Sequence, residues 1–310
     1  MSMNQSVLIC DQVAPILNEI LQKNGLKITY EPEITPDQIK EKISNFDIVV
    51  VRSRTKITKE MIDRATQCKV IARVGVGLDN IDVDAAKAKG IRVINAVEGA
   101  MNAVAELVLG LMLSLAREIP RADREIRNGN WLKKELMGSE LSGKYLGIVG
   151  LGNIGKRLAK LARGLNMNII GFDVMPIADD FARDVGLIKA DIDTLLSSAD
   201  YISFHVPLTE TTHHLVNSTR ISTMKKTAYI INTSRGEIID EDALYNALKE
   251  GKIAGAALDV FEKEPAVGNK LATLSNVVCT PHIGAQTKEA QTLAANVIGE
   301  KIIMILRGVI

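Results

Sequence analysis

Short apolar runs alternate with segments of helical periodicity along most of the chain. Eleven such runs are rich in Val, Ile and Ala and apolar on both faces, and most are separated by helical patterns. Strands that are apolar on both faces are typical of a parallel sheet covered by helices. The pattern therefore predicts an α/β fold built from doubly wound parallel sheets.

The apolar runs fall into two sets, which predicts two domains. The first set ends near Asn95, and the second begins near Tyr145. A long apolar helix, predicted over residues 102–118, and a polar stretch with turn residues lie between them. A last helix is predicted over residues 287–307. The pattern alone leaves open whether this closing helix returns to the first domain.

Composition and charge narrow the class of protein. A chain of 310 residues, 46% hydrophobic and 24% charged, is long enough for two cores, and a net charge of +1 does not favour a nucleic-acid partner. The first residues lack the pattern of a signal peptide, and the most apolar helix contains Glu106 and is too short to span a membrane. The three cysteines show no CxxC spacing. We therefore expect a cytoplasmic protein with buried thiols and no membrane partner.

A glycine motif follows the first apolar run of the second set. Gly150, Gly152 and Gly155 form G-x-G-x-x-G between a predicted strand and a predicted helix, which is the context that a dinucleotide-binding motif requires. The first glycine allows a tight turn, the second a close approach to a pyrophosphate, and the third close packing of helix and strand. Asn153 and Ile154 lie between the last two glycines. We expect all five residues to contact the cofactor at the helix N-terminus.

An acidic residue ends the next apolar run. Asp173 lies eighteen residues after Gly155 and is followed by Val174 and Met175, not by an arginine. A carboxylate at this place accepts hydrogen bonds from ribose hydroxyls and repels a 2′-phosphate, which favours NAD over NADP. The alternative is a strand-end Asp that caps the next turn.

Three further strand ends carry chemically useful side chains. Arg235, Glu264 and His282 follow successive predicted strands, and parallel strands place their carboxyl ends at the ligand-binding edge of a sheet. A His can take the proton of a substrate hydroxyl during hydride transfer, and a Glu can hold its other ring nitrogen. An Arg can bind a carboxylate through two parallel hydrogen bonds. Taken singly, each residue also has a structural interpretation.

These segments resemble the D-isomer-specific 2-hydroxyacid dehydrogenases over essentially the whole chain. The motifs that carry the resemblance are "GLGNIG", "FHVPLTETTHHLVN", "INTSRGEIIDEDAL", "AGAALDVFEKEP" and "TPHIGAQT". The resemblance implies NAD as cofactor and Arg235, Glu264 and His282 as catalytic residues. It implies a homodimer and a hinge between a Rossmann NAD-binding domain, residues 98–285, and a discontinuous flavodoxin-like substrate domain, residues 1–97 and 286–310. Further cofactor contacts are implied for Val76, His205, Val206, Pro207, Thr233, Ser234, Asp259, Gly284 and Ala285.

The first domain is expected to recognise the substrate. Arg52, Arg54 and Arg73 lie at strand ends, and cations beyond Arg235 suggest a second anionic group such as a phosphate. These segments most resemble the branch of the family that oxidises 3-phospho-D-glycerate to 3-phosphohydroxypyruvate, a step of serine biosynthesis. That resemblance implies substrate contacts at Arg52, Ser53, Arg73 and Gly75. The role of Arg54 stays open, because many members carry a small residue there.

Two other functions remain open at this point. A reductase of glyoxylate, hydroxypyruvate or another small 2-keto acid would share the three catalytic residues, and a corepressor-like protein would bind NAD without catalysis. Lys133 and Lys134 could reach a neighbouring subunit. No metal site is expected, because His213 and His214 are adjacent and cannot form an i, i+4 ligand pair. Longer relatives add a regulatory domain, and we expect a short form that lacks it.

Overall fold

The computed structural model describes residues 4–310, which contain two parallel sheets. The chain divides into two compact units: one is Met1–Ala103 with Ala285–Ile310, and the other is Val104–Gly284. The predicted fold class, two doubly wound parallel-sheet domains, is confirmed by this architecture. The predicted boundaries at residues 97/98 and 285/286, with their functional meaning, stay a prediction.

The first unit contains a five-stranded sheet with the strand order β2-β1-β3-β4-β5, all parallel, which is the flavodoxin-like order. Its strands are β1 Ser6–Ile9, β2 Lys27–Tyr30, β3 Ile48–Val51, β4 Val70–Arg73 and β5 Arg92–Asn95. Its helices are α1 Ile16–Lys23, α2 Pro36–Lys42, α3 Lys59–Arg64, α4 Val83–Ala88 and the closing helix α12 Lys288–Leu306.

The closing helix belongs to the first unit. Ala295, Ile298 and Ile302 of α12 are fully buried in the same core as Leu17 and Leu21 of α1. A Cβ atom at Gly299 would lie only 3.0 Å from the Ile20 side chain, so the missing side chain lets the two helices approach. The structure thereby answers the question that the sequence pattern left open.

The second unit contains a seven-stranded parallel sheet with the order β12-β11-β10-β9-β6-β7-β8. Its strands are β6 Tyr145–Val149, β7 Asn168–Phe172, β8 Leu187–Lys189, β9 Tyr201–Phe204, β10 Tyr229–Asn232, β11 Gly255–Leu258 and β12 Val277–Cys279. Its helices are α5 Met101–Ala116, which begins in the first unit, α6 Ile119–Arg127, α7 Asn153–Gly164, α8 Asp179–Val185, α9 Ile192–Ser198, α10 Ser218–Thr223 and α11 Glu241–Lys249. The strand order reverses between β6 and β9, as in the Rossmann fold, and ligands bind at such a switch point.

Each sheet has an apolar core on both faces. Neighbouring residues of one strand enter different cores, as Val149 and Ile148 of β6 do, because successive side chains point to opposite faces. Sequence patterning missed β8, a three-residue edge strand with an exposed Ile188. None of the helices in residues 4–310 combines the length and the apolar character needed to cross a membrane.

The cysteines correct one expectation. Cys10 and Cys68 are buried, and desolvation raises the pKa of Cys10 to about 12 and that of Cys68 to about 11. Cys279 was expected to be buried and is exposed. The reason is its place at the end of β12, an edge strand that has a neighbour on one side only.

Candidate active site

The glycine motif forms a tight connection between β6 and α7. Gly150 has φ +95°, and a Cβ atom on it would lie 2.5 Å from the His205 carbonyl oxygen. A Cβ atom on Gly155 would lie 2.0 Å from the Gly150 carbonyl oxygen. Only glycine fits these two positions, so the motif is a packing requirement as much as a binding one.

Gly152 differs from the other two glycines. It caps the N-terminus of α7, and a Cβ atom on it would meet no heavy atom within 4 Å. The protein therefore leaves open space in front of the first turn of α7, where Asn153 and Ile154 lie. A helix N-terminus with unpaired N–H groups facing open space suits an anionic pyrophosphate.

Asp173 follows β7 and ties two loops together. Its Oδ2 accepts a hydrogen bond from Leu151 N at 2.6 Å, and its Oδ1 accepts one from Met175 N at 2.8 Å. The capping role considered from the sequence is therefore real. Val174 is 86% exposed and adds no cation beside the carboxylate. Contact of Asp173 with a ribose stays a prediction.

His205 lies at the switch point, directly after β9. Its backbone N donates to Val149 O at 2.7 Å, and its Nε2 lies 2.9 Å from the buried Ser203 hydroxyl. Desolvation lowers the pKa of His205 to about 4, so the ring is neutral at physiological pH. Val206 and Pro207, also predicted to contact the cofactor, follow it on the same loop.

The loop after β10 presents Arg235. Asn232, which is fully buried, donates from Nδ2 to Arg235 O at 2.8 Å and accepts from Ser234 N and Oγ at 3.1 and 2.8 Å. The hydroxyl of Thr233 is buried and has no hydrogen-bond partner in the described part of the chain. Sequence reasoning missed Asn232, whose only signal was an amide at the end of an apolar run.

The loop after β10 packs directly against the loop after β11. A Cβ atom on Gly236 would lie 1.9 Å from the backbone of Phe261. Phe261 N in turn donates to Glu264 Oε1 at 3.3 Å. The absence of a side chain at Gly236 therefore places Arg235 and Glu264 on adjoining loops.

His282 and Glu264 form a pair. Glu264 Oε2 lies 2.8 Å from His282 Nδ1, and both side chains are partly exposed, 39% and 51% respectively. When Nδ1 donates to the carboxylate, Nε2 is the ring atom left to exchange a proton. His282 has φ +54°, and its backbone N donates to Asp259 O at 2.8 Å and to Thr280 O at 3.1 Å.

Asp259 builds the turn that carries His282. Its carboxylate is buried and accepts hydrogen bonds from Thr280 Oγ1 at 2.6 Å, Ile283 N at 2.8 Å and Gly284 N at 2.8 Å. These contacts occupy both carboxylate oxygens. Direct contacts of the cofactor with Asp259, Gly284 and Ala285 stay predictions. Ala285 is the residue at which the chain returns to the first unit.

The candidate substrate residues lie in the first unit, in the loops after β3 and β4, except for Arg73, which is the last residue of β4. Arg52 and Ser53 begin the loop after β3, and Arg52 donates from Nη2 to Gln286 Oε1 at 3.0 Å. A Cβ atom on Gly75, which has φ +153°, would lie 2.3 Å from Arg73 Nη1, so the Arg73 guanidinium lies against that glycine. Val76 follows on the same loop, and its carbonyl oxygen accepts from Asn95 Nδ2.

Arg54, whose role the sequence left open, makes its contacts within the protein. Its guanidinium forms an ion pair with Asp11 and donates hydrogen bonds to three backbone carbonyls. Sequence reasoning missed Asp11, because its partners lie more than forty positions away in the chain.

The second unit fits a nicotinamide dinucleotide. Open space in front of Gly152, the unpartnered hydroxyl of Thr233 and the neutral His205 ring all lie at the carboxyl edge of one sheet. The described residues contain no group of three or more His, Cys, Asp or Glu side chains arranged to hold a metal ion.

Comparisons with known proteins agree with this geometry. Residues 109–284 match the sequence family described as D-isomer specific 2-hydroxyacid dehydrogenase, NAD binding domain. D-3-phosphoglycerate dehydrogenase of Methanocaldococcus jannaschii is 47% identical over 97% of this chain, and hydroxypyruvate reductase of Thermotoga maritima is 46% identical over 91% of it. The match covers 57% of the first protein and 92% of the second. The chain thus spans little more than half the length of the phosphoglycerate dehydrogenases that it matches.

Solved structures show the same architecture. The crystal structure of a putative D-isomer specific 2-hydroxyacid dehydrogenase from a Polaromonas species superposes with a TM-score of 0.89 at 30% identity. The superposition covers 99% of this chain and 98% of that one, so both units are included.

Proposed function

Because the chain belongs to the D-isomer-specific 2-hydroxyacid dehydrogenase family, we propose that it is an NAD-dependent dehydrogenase of a D-2-hydroxy acid. The observation that carries this proposal is the 2.8 Å pair of His282 and Glu264, on a loop adjoining that of Arg235. The substrate is 3-phospho-D-glycerate and the product is 3-phosphohydroxypyruvate, the first step of phosphorylated serine biosynthesis.

The roles of the three residues follow from their chemistry. Bound NAD supplies the hydride acceptor for the hydrogen on the substrate's carbinol carbon. His282 Nε2 takes the hydroxyl proton, and the Glu264 carboxylate stabilises the imidazolium that forms. Arg235 binds the substrate carboxylate through its guanidinium. Asp173 supports NAD over NADP, because a second negative charge on the ribose would face a carboxylate.

Arg52 supports a phosphorylated substrate. Its guanidinium makes one hydrogen bond within the described residues, to the neutral amide oxygen of Gln286, so most of its N–H groups are available to an anion. The phosphoglycerate dehydrogenases among the relatives also favour this substrate.

Reduction of hydroxypyruvate is the second candidate. It is favoured by the Thermotoga maritima relative, which is 46% identical over 91% of this chain, and by the internal contacts of Arg54, which leave fewer cations for a phosphate. The two candidates share the chemistry of His282 and differ in what Arg52 meets.

A comparison of keto acids tests the proposal. NADH oxidation is measured with 3-phosphohydroxypyruvate, hydroxypyruvate, glyoxylate and pyruvate, and kcat/KM is compared. The proposal expects the phosphorylated acid to exceed the others by about a hundredfold, or roughly 2.7 kcal/mol. Arg52→Met should remove this preference, while Lys56→Met, which removes an exposed cation of the same loop, should keep it. Equal kcat/KM values for all four acids would favour the general reductase.

We also propose a homodimer. The segment after α6 exposes large apolar side chains, with Trp131 78% and Met137 88% exposed, and the outward-facing Ile126 lies just before them. Such a patch is typical of a surface covered by another chain. Sedimentation velocity should give twice the mass of the chain, and Trp131→Glu should give a monomer. Lys133 and Lys134 lie in this segment, so each could approach the neighbouring copy.

A further inference from the structure

Two arginines on one loop have opposite environments. Arg54 Nε lies 3.0 Å from Asp11 Oδ1, and its terminal nitrogens donate to the carbonyl oxygens of Cys10, Pro32 and Ile34 at 2.6, 2.8 and 3.2 Å. Arg52, two residues earlier, donates only to the Gln286 amide oxygen among the described residues. Arg54 is thus committed to the protein, and Arg52 keeps most of its donors.

Asp11 organises this loop. It follows β1, is 2% exposed, and a buried carboxylate is tolerated only when it is paired. Its Oδ2 accepts from Arg52 N at 2.5 Å and from Thr55 N at 3.3 Å. Its Oδ1 accepts from Thr55 Oγ1 at 2.8 Å and faces Arg54 Nε. The Asp11 carboxylate therefore holds both ends of the loop 52–55 and is the counter-ion of Arg54, which lies within the loop.

The backbone of Arg52 is held from both sides as a result. Asp11 accepts from its N–H, and Asn80 Nδ2 donates to its carbonyl oxygen at 2.8 Å and to that of Thr55 at 2.6 Å. The Gln286 oxygen that receives the Arg52 guanidinium is itself held by Gln291 Nε2 at 2.6 Å. Desolvation lowers the pKa of Arg52, and the negative charge of Asp11 acts in the opposite direction and raises it. An anion bound to the guanidinium would replace the lost solvation.

We propose that Asp11 is a positioning residue for substrate recognition and that Arg54 is its structural counter-ion. Arg52 is then the cation of this loop that meets the anionic group of the substrate. This inference rests on the proposed function. It assigns a role to two residues that do not touch the substrate themselves.

The test uses variants of the full chain. Asp11→Asn keeps the size of the side chain and removes its charge, and Arg54→Met removes the counter-ion. Asp47→Asn is the matched control. Asp47 also accepts hydrogen bonds at an end of β1, from Ser6 N and Oγ, but it lies at the amino ends of the strands, whereas Asp11 and Arg52 lie at the carboxyl ends. For each protein and for the double variant, kcat and KM are measured with NADH and, in separate assays, 3-phosphohydroxypyruvate and hydroxypyruvate. NADH affinity is followed by fluorescence, and amide hydrogen exchange is followed at Arg52 and Thr55.

The proposal expects a split between KM and kcat. Asp11→Asn should raise KM for the keto acid at least about tenfold and change kcat and NADH affinity less than about threefold, because a displaced Arg52 weakens substrate binding only. Exchange at the two amides should become faster in Asp11→Asn and stay unchanged in Asp47→Asn. Arg54→Met should behave like Asp11→Asn, and the double variant should be no worse than the poorer single variant, since the two residues act as a unit.

Three outcomes would overturn the inference. KM in Asp11→Asn equal to that in Asp47→Asn would remove the positioning role. A rise in KM in Arg54→Met alone, confined to the phosphorylated acid, would make Arg54 a direct ligand. Unchanged exchange at Arg52 and Thr55 in Asp11→Asn would show that the carboxylate does not hold the loop. A wild-type protein that reduces none of the keto acids would instead overturn the proposed function.

Discussion

Substitution of Gly152 separates cofactor binding from folding. A methyl group at this position meets no protein atom within 4 Å, and the backbone there, with φ −69°, is open to alanine. Because no atom of the described residues lies near it, we expect this methyl group to obstruct a ligand that approaches the N-terminus of α7 and to leave the protein's own packing unchanged. Loss of one charge-assisted hydrogen bond to a pyrophosphate costs about 1.5–3 kcal/mol. Gly152→Ala should therefore weaken NADH binding by roughly 10- to 150-fold, measured by fluorescence titration, at unchanged thermal stability.

Two other glycines of the same segment supply the controls. A Cβ atom on Gly164, the last residue of α7, also meets nothing within 4 Å, so Gly164→Ala should keep NADH affinity and stabilise the helix by roughly 0.5–1 kcal/mol. Gly155→Ala should destabilise the fold itself, because its Cβ atom would lie 2.0 Å from the Gly150 carbonyl oxygen. If Gly152→Ala bound NADH as tightly as the wild type, the pyrophosphate would not lie against this loop, and the dinucleotide assignment would fail.

Further predictions concern the acid–base residue, a buried histidine and the thiols. His282→Gln should lower kcat by about 10²- to 10⁴-fold at unchanged NADH affinity, and a variant that kept its kcat would exclude His282 as the proton acceptor. Because the folded-state pKa of His205, about 4, lies below its ordinary value of 6.5, the unfolded chain binds the extra proton between these pH values. Stability should then fall between about pH 6.5 and pH 4, by on the order of 3 kcal/mol at most, and urea midpoints of wild type and His205→Gln should converge as the pH falls. A thiol-specific disulfide reagent should modify Cys279 in the folded protein at pH 8, and Cys10 and Cys68 only after unfolding. Reaction of all three thiols in the folded state would contradict the burial of Cys10 and Cys68.

Much of the fold could be predicted because its signal is local. Each central strand is a run of residues that are apolar on both faces, and each such run was recognisable without knowledge of its neighbours. The edge strand β8 was missed for the same reason, since its exposed side chains carry no apolar run. The exposure of Cys279 was missed because it depends on strand order, which the sequence pattern does not give.

In the candidate site, too, residues with a local sequence signal could be predicted and residues defined by distant contacts could not. Gly150 and Gly155 could be predicted because a tight turn and a close helix–strand contact admit no other residue at these two positions. Asp11 and Gln286 could not, because their contacts with Arg52 join positions 41 and 234 residues apart and follow no spacing rule. Arg54 was ambiguous for a related reason: a guanidinium that binds substrate and one that binds an internal carboxylate look alike in a sequence.

Carboxylates at strand ends show why this ambiguity recurs. Asp11, Asp173 and Asp259 each follow a parallel strand, and the carboxyl ends of such strands are also where open parallel sheets generally bind ligands. In the structure each of these carboxylates accepts hydrogen bonds from backbone N–H groups of the surrounding loops. Beyond the end of a strand, backbone N–H groups no longer have a partner in the neighbouring strand, so they need other acceptors. A strand-end acid is therefore either a ligand or a builder of the loop that presents the ligand, and its sequence position is the same in both cases. A ligand-binding side chain differs from a loop-building one in how many of its donors and acceptors are left without a hydrogen-bond partner inside the protein. By that criterion, the Arg52 guanidinium and the Thr233 hydroxyl are better candidates for direct contact than Asp11 or Asp259.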